Sequence, residues 1–286
     1  MMSDRLLICT DLDRTLIPNG PQPESPDVRE HFALLVARPE VTLAYVSGRH
    51  RALVEQAIAD TPLPLPDFVV GDVGTTIYYV SPQQEWQRQA AWEEEIARDW
   101  QGMNHAGLEV LLADLPALEL QESAKQNSYK LSYYVALQQD RDTLSVLINQ
   151  RLASKGVKAR LIWSTDEAAC VGLLDVLPAR ASKYHALEAL MSLHGFDYGN
   201  TVFCGDSGND IEVLASPVPA VLVANSEPDV QDLARRLADD MGQAAQLYIA
   251  KGNFMGLNGN YSAGMLEGIA HYHPQSIKWM GYSHER

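Results

Sequence analysis

The sequence predicts an α/β protein in which a mainly parallel sheet, flanked by helices, is interrupted by an inserted α+β module. Two patterns carry that prediction. Short apolar runs alternate with amphipathic stretches over residues 6–70 and again over 171–272, as strand–helix–strand crossovers require. Between them, from about 82 to 169, the chain is richer in Trp, Gln and Glu, and its order becomes helix, helix, strand, helix, strand. The expected division is core over 1–82, module over 83–169 and core again over 170–286. A chain of 286 residues, 46% hydrophobic, suffices to bury a substantial core. Disorder, collagen-like repeats and a small disulfide scaffold are excluded.

The elements follow in order. Residues 6–10 are apolar and are stopped at once by aspartates, which predicts a buried strand and is too short for a signal peptide. After a Pro-rich loop over 18–26, Ser25 and Pro26 stand as N-cap and first residue of a helix with Val28, Phe32, Leu35 and Val36 on one face. Strands are predicted at 41–46 and 67–70 around a helix at 49–60, closing on the turn Gly71-Asp72-Val73-Gly74. In the module, Trp92, Ile96 and Trp100 at i+4 spacing predict one amphipathic helix. Strand composition at 129–137 and 157–163 brackets a helix lined by Leu144, Leu147, Ile148 and Leu152, ending near Gly156. The core resumes with a strand at 171–176 and a helix at 182–194 capped by Gly195. Strands at 201–204 and 220–223 and a last helix at 261–272 complete it.

Thirty-seven acidic against 22 basic residues give a net charge of −15, spread along the chain. That balance disfavours nucleic acid and anionic membrane surfaces as partners. An anionic substrate would need placed cationic side chains, a helix N-terminus or a metal ion. Cys9, Cys170 and Cys204 match neither a zinc site nor a disulfide framework, and are expected as buried thiols of a reducing compartment. Nowhere do 18 apolar residues run together, so a soluble, cytoplasmic protein is expected.

Four elements carry chemistry, each just after a predicted strand, where ligands of open α/β sheets bind. Asp11 and Asp13 can both project into one site. One carboxylate can attack phosphorus, and a second, its pKa raised by like charge, can move protons. Ser47-Gly48-Arg49 precedes a helix, offering a hydroxyl and backbone N–H groups to a phosphate, although Ser is also a common N-cap. Lys183 opens the 182–194 helix as a compact positive charge; alone it reads as a surface lysine. Gly205-Asp206-Ser207-Gly208-Asn209-Asp210 sets two aspartates four apart on a Gly-rich turn, a hard oxygen site for Mg²⁺ or simply a capping turn.

In this order the four elements resemble the motifs of the haloacid dehalogenase (HAD) superfamily of phosphohydrolases. The resemblance implies a Rossmann-like core with Asp11 as nucleophile and Asp13 as general acid/base. It also implies that Ser47 and Lys183 hold the phosphoryl group, with Gly48, Arg49 and Asn209 beside them. Asp11, Asp206, Asp210 and the backbone carbonyl of Asp13 would serve Mg²⁺. The module is placed like the α/β cap of the type IIB group. The stretches "TDLDRTLIP", "VGDVGTTIYY", "YKLSYYV", "LDVLPARASKYHALEAL", "VFCGDSGNDIEVL" and "YSAGMLEGIAHY" resemble the sucrose-phosphate phosphatase family. That likeness implies hydrolysis of a phosphorylated disaccharide through an aspartyl phosphate. Sucrose 6-phosphate is the first candidate and mannosylfructose phosphate the next, with a sucrose-phosphate synthase as a possible partner. A phosphomannomutase-like mutase and a non-catalytic phosphosugar-binding module are the rivals.

Other features are less decided. Lys130, in a strand rich in Tyr and Ser, reads equally as a sugar contact and as a solvent-facing lysine. Arg49 can reach phosphate, sugar or a nearby acid. Tyr184 follows Lys183 where the family more often has glycine. Residues 251–260 are predicted as a loop, and Trp86, Trp92 and Trp100 invite a sugar-stacking reading, though the latter two have core spacing. His271, His273 and His284 read as a solvated C-terminal end.

Overall fold

The computed structural model describes residues 5–166 and 169–282. In chain order the first part contains β1 (Leu6–Thr10), α1 (Val28–Val36), β2 (Val41–Val46), α2 (Arg51–Asp60), β3 (Phe68–Gly71), β4 (Thr76–Val80), β5 (Trp86–Arg88) and α3 (Ala90–Ala97). The middle holds α4 (His105–Leu112), β6 (Glu119–Leu120), β7 (Leu131–Val135), α5 (Arg141–Ala153), β8 (Ala159–Asp166) and β9 (Val171–Pro178). The last part holds α6 (Lys183–His194), β10 (Thr201–Gly205), α7 (Ile211–Leu214), β11 (Ala220–Leu222), α8 (Pro228–Asp240), β12 (Leu247–Ile249) and α9 (Ser262–Tyr272).

An eight-stranded sheet runs β12-β11-β10-β1-β2-β3-β4-β5, parallel from β12 to β3 and antiparallel beyond. The unbroken apolar run of β1 reflects burial on both faces. Leu6 and Ile8 pack with Phe32, Leu35 and Leu266 on one side, while Leu7 and Cys9 pack with Leu187, Leu190 and Phe203 on the other. Because β10, β1 and β2 are neighbours, the segments leaving their carboxyl ends lie side by side. A second, antiparallel sheet runs β6-β7-β9-β8. Leu108, Leu112, Leu144 and Ile148 of α4 and α5 form a separate core against Leu131, Leu174 and Val176 of that sheet. Among the described residues, no helix is long and apolar enough to cross a membrane.

Several expectations change. The strand at 171–176, expected to resume the parallel core, is β9 and sits inside the second sheet between β7 and β8. Conversely, β5 lies within the residues assigned to the module yet pairs with β4 at the edge of the large sheet. Strand propensity identifies a strand but not its partner, which depends on long-range packing. The tryptophan stripe is split for the same reason. Trp92 and Ile96 pack into the large-sheet core, whereas Trp100, after α3 has tightened into a 3₁₀ turn, packs into the small one.

Ser25 does not cap α1, whose N-cap is Asp27 at φ 58°. Its hydroxyl instead accepts the Asn258 N–H at 2.9 Å, and Asn258 and Asn260 both donate to the Pro23 carbonyl. The 251–260 loop thus braces the Pro-rich 18–26 segment. Cys9 and Cys204 are buried but Cys170 is exposed, because it lies in the turn entering β9 rather than inside the strand. His271 is exposed, His273 is buried, and His284 lies outside the described residues.

Candidate active site

Asp11 directly follows β1 and extends its pairing, its N–H donating to the Cys204 carbonyl at 2.9 Å. The Leu12 carbonyl then accepts the N–H groups of Leu16 and Ile17, folding the chain back, with Arg14 in the left-handed region at φ 59°. Ser47 leaves β2, is buried, and accepts the Arg49 N–H on its hydroxyl at 3.2 Å. Gly205 ends β10, where an added Cβ would stand 2.5 Å from Asp210 Oδ2, so the acidic loop can fold tightly over the strand end.

Lys183 is the first residue of α6, which is capped by the Ser182 side chain. The turn after β3 presses directly on this helix start. A Cβ on Gly74, at φ +92°, would lie 2.4 Å from the Ser182 carbonyl carbon. The Gly74 carbonyl in turn accepts the Trp92 indole N–H at 3.0 Å. Tyr184 is turned along the helix, donating to Glu188 at 2.7 Å.

Lys183 is buried and central. Its ammonium lies 2.9 Å from Asp11 Oδ2, donates to Asp210 Oδ1 at 2.7 Å, and donates to Asn209 Oδ1 at 3.2 Å. Burial alone would lower its pKa, but the Asp11 and Asp210 carboxylates outweigh that and hold it well above the ordinary lysine value. Asp210 is further anchored by the Asp206 and Ser207 N–H groups at 3.1 and 3.2 Å. Asp206 accepts from Thr15 at 3.2 Å and lies 3.4 Å from the Arg14 guanidinium.

Asp11, Asp206 and Asp210 can each direct a carboxylate oxygen to within 4.8 Å of the others. Burial pushes Asp11 up to about 7 against the pull of Lys183, and burial with the Asp210 charge pushes Asp206 up to about 6. Three buried carboxylates around one ammonium form a hard, electron-rich oxygen site short of positive charge, which fits a divalent cation such as Mg²⁺.

Asp13 behaves otherwise than expected. Burial would raise its pKa, but hydrogen bonds from Arg49 at 2.6 and 2.8 Å, the guanidinium charge and a bond from Asn19 at 2.7 Å hold it below the usual value. Burial, with the charge of Asp210, raises Asp11 and Asp206 instead, while Arg49 holds Asp13 down.

Two cavities adjoin here. One of about 250 Å³ is lined by Asp11, Asp13, Ser47, Arg49 and Asp206. A larger one of about 690 Å³ lies between the second sheet and the core, bordered by Val73, Trp163, Ser164, Asp175 and Lys183. Gly48 and Asn209 line both, so the two cavities are neighbours. Lys130 is buried rather than solvent-facing, with its ammonium 4.0 Å from Asp175, a residue of the larger cavity. Asp175 also accepts the Ser132 hydroxyl at 2.5 Å. The structure thus gathers the residues predicted at the phosphate end and sets Lys130 apart from them.

Sequence reasoning missed Arg14, Thr15, Asn19 and Asp175. The first two immediately follow Asp13, and a carboxylate inside the apolar run 171–176 was a readable signal. Trp86 and Trp92 take no part in either cavity: Trp92 is core, and Trp86 packs edge-on against Tyr78.

Comparison with known proteins places the chain in a family. The family described as Sucrose-6F-phosphate phosphohydrolase matches residues 4–273. A Nitrosococcus oceani protein carrying the general name HAD-like hydrolase is 54% identical over 280 residues, covering 98% of this chain and 75% of its own. Sucrose-phosphatase 1 of Nicotiana tabacum is 30% identical over 237 residues, 79% of this chain, and the match spans only 52% of that longer protein. The solved sucrose-phosphatase of Synechocystis, in complex with sucrose and phosphate, superposes with a TM-score of 0.68 at 25% identity, covering 94% of this chain and 98% of that one. The chain therefore belongs to the Sucrose-6F-phosphate phosphohydrolase family of the HAD superfamily, a family of phosphoric monoester hydrolases.

Proposed function

We propose that this chain is a Mg²⁺-dependent phosphatase of a phosphorylated disaccharide, with sucrose 6-phosphate the first candidate, acting through an aspartyl phosphate on Asp11. The observation that carries this reading is the pair of adjoining cavities. The smaller faces Asp11, and the larger, at about 690 Å³, has the size of a small-molecule site. The Synechocystis relative, which binds sucrose and phosphate, supports the same division of labour.

In this reading Asp11 Oδ attacks phosphorus and the bond to the sugar oxygen breaks. The leaving oxygen takes a proton, and water then cleaves the acyl phosphate to restore Asp11. Lys183 and the Ser47 hydroxyl hold the phosphoryl oxygens, with Gly48 and Asn209 lining both cavities. Asp11, Asp206 and Asp210 would hold Mg²⁺, together with the Asp13 carbonyl that the family resemblance implies. When bound, the ion offsets the repulsion between a carboxylate nucleophile and a phosphate dianion.

Arg49 keeps Asp13 ionised in the conformation seen, so Asp13 is set to accept a proton from water. To deliver one to the leaving sugar it must first part from Arg49 and take up a proton from solvent, and the substrate phosphate is the anion that competes for Arg49. Asp175, which borders the larger cavity, would meet sugar hydroxyls there, with Lys130 behind it at 4.0 Å. The buried thiols of Cys9 and Cys204 support a reducing, cytoplasmic setting.

The test is phosphate release with Mg²⁺ across sucrose 6-phosphate, mannosylfructose phosphate, trehalose 6-phosphate and hexose monophosphates. The expected result is the highest kcat/KM on sucrose 6-phosphate. Uniformly slow release would remove the disaccharide assignment, and isomerisation of hexose phosphates without phosphate release would replace hydrolysis with a mutase.

A further inference from the structure

The larger cavity is closed on one side by a bridge between the two bodies of the fold. Arg160 stands on β8, the edge strand of the small sheet, and Glu212 stands on α7, directly after the acidic loop. The guanidinium meets the carboxylate fork to fork, Nη1 to Oε2 at 3.0 Å and Nη2 to Oε1 at 3.4 Å. Both residues border the cavity. His185 Nδ1 of α6 lies 3.8 Å from the same carboxylate and 2.9 Å from the Ser182 hydroxyl. Glu212 therefore stands between the small sheet and the helix that begins with Lys183.

We propose that Arg160 and Glu212 form a clasp that holds the small sheet over the core and thereby selects for phosphates carrying a bulky sugar. The two-pronged geometry fixes both the distance and the angle between β8 and α7, as a lone lysine contact would not. Side-chain exposures of 29% and 37% leave the pair in reach of water, so it opens and closes without the penalty of a fully buried charge pair. A substrate that fills the larger cavity needs that wall in place, whereas a small aryl phosphate that uses only the Asp11 cavity does not. This rests on the sugar-phosphate reading above and goes beyond it by naming positioning residues that touch neither the phosphate nor the metal site.

The test compares the wild type with R160E, E212R and the double reversal R160E/E212R. Its readout is the ratio of kcat/KM on the best sugar phosphate of the panel to kcat/KM on p-nitrophenyl phosphate. Each single reversal is expected to lower this ratio at least fivefold, mainly through KM for the sugar phosphate, and the double reversal to return it to within twofold of wild type. Single variants that keep the wild-type ratio would overturn the proposal. So would a double reversal that recovers nothing, since Arg160 would then act on the substrate directly. The neutral variants R160A and E212A repeat the comparison should a reversal fail to fold. Amide hydrogen exchange of residues 159–166 in ligand-free protein is independent of substrate identity. It should speed up in each single variant and recover in the double, and unaltered exchange in the singles would also overturn the clasp. If no sugar phosphate is preferred by the wild type while exchange behaves as expected, the substrate assignment fails and the clasp stands.

Discussion

Replacing Lys183 with methionine removes the ammonium from among Asp11, Asp210 and Asn209 while keeping an unbranched side chain only one atom shorter. The lysine side chain is only 3% exposed, and the Asp11 and Asp210 carboxylates lie 2.9 and 2.7 Å from it. Breaking a buried charge cluster by deleting one partner costs about 3–5 kcal/mol. The variant has one escape, which is to hold a proton on Asp11, already raised from 3.8 to about 7. A carboxyl with a raised folded pKa contributes stability that is present below its unfolded pKa and is lost as pH rises through the folded one. In the wild type that loss ends near pH 7. In the variant, without the Lys183 charge, Asp11 shifts higher and the loss continues. At about 1.4 kcal/mol per pH unit, the 1.5 units from pH 7 to about 8.5 add about 2 kcal/mol to the variant's deficit. Urea unfolding in EDTA should therefore show Lys183→Met destabilised by about 4 kcal/mol near pH 8.5 and by about 2 kcal/mol near pH 6. A deficit that is equal at both pH values, or larger at pH 6, would refute the placement of Lys183 as the counter-charge of Asp11.

Other outcomes follow from the same geometry. Asp11→Asn should abolish phosphate release while far-UV circular dichroism and cooperative unfolding persist, because the amide keeps the shape but is a poor nucleophile. Mg²⁺ should raise the melting temperature of the wild type in proportion to the logarithm of its concentration, with the increment smaller at pH 5.5 than at pH 8, since Asp11 and Asp206 must lose protons to bind it. A melting curve indifferent to Mg²⁺ at both pH values would count against the three carboxylates as its ligands. Gly74→Ala should destabilise the fold by about 3 kcal/mol in denaturant titration, combining left-handed strain with a methyl driven into the Ser182 backbone; an unchanged midpoint would show that the turn does not press on α6.

Much of the phosphate end was legible because it is local. Asp11, Ser47 and the Asp206–Asp210 loop each follow an apolar run, and parallel crossovers bring the carboxyl ends of such strands to one edge. Their convergence needed only the pattern and the order of the motifs. The helix from Lys183 was equally readable, since Ser182 and Gly195 mark its ends with residue types suited to caps.

What the tertiary structure decided was partnership. The run at 171–176 has the composition of a strand wherever it pairs, and only packing assigned it to the small sheet, where Asp175 meets Ser132 and approaches Lys130. Trp92 and Trp100 repeat at helical spacing, yet a tightened turn sends them into different cores. The protonation pattern was out of reach of the sequence altogether. Asp13 is two residues from Asp11, and the spacing invites a raised pKa for one of the pair. Arg49, 36 residues from Asp13, holds that carboxylate down, and it is burial, with the Asp210 charge, that raises Asp11 and Asp206. Residue type and spacing determine which groups arrive at the strand ends. Burial and counter-charge determine which of them hold protons, and these depend on contacts between segments far apart in the chain.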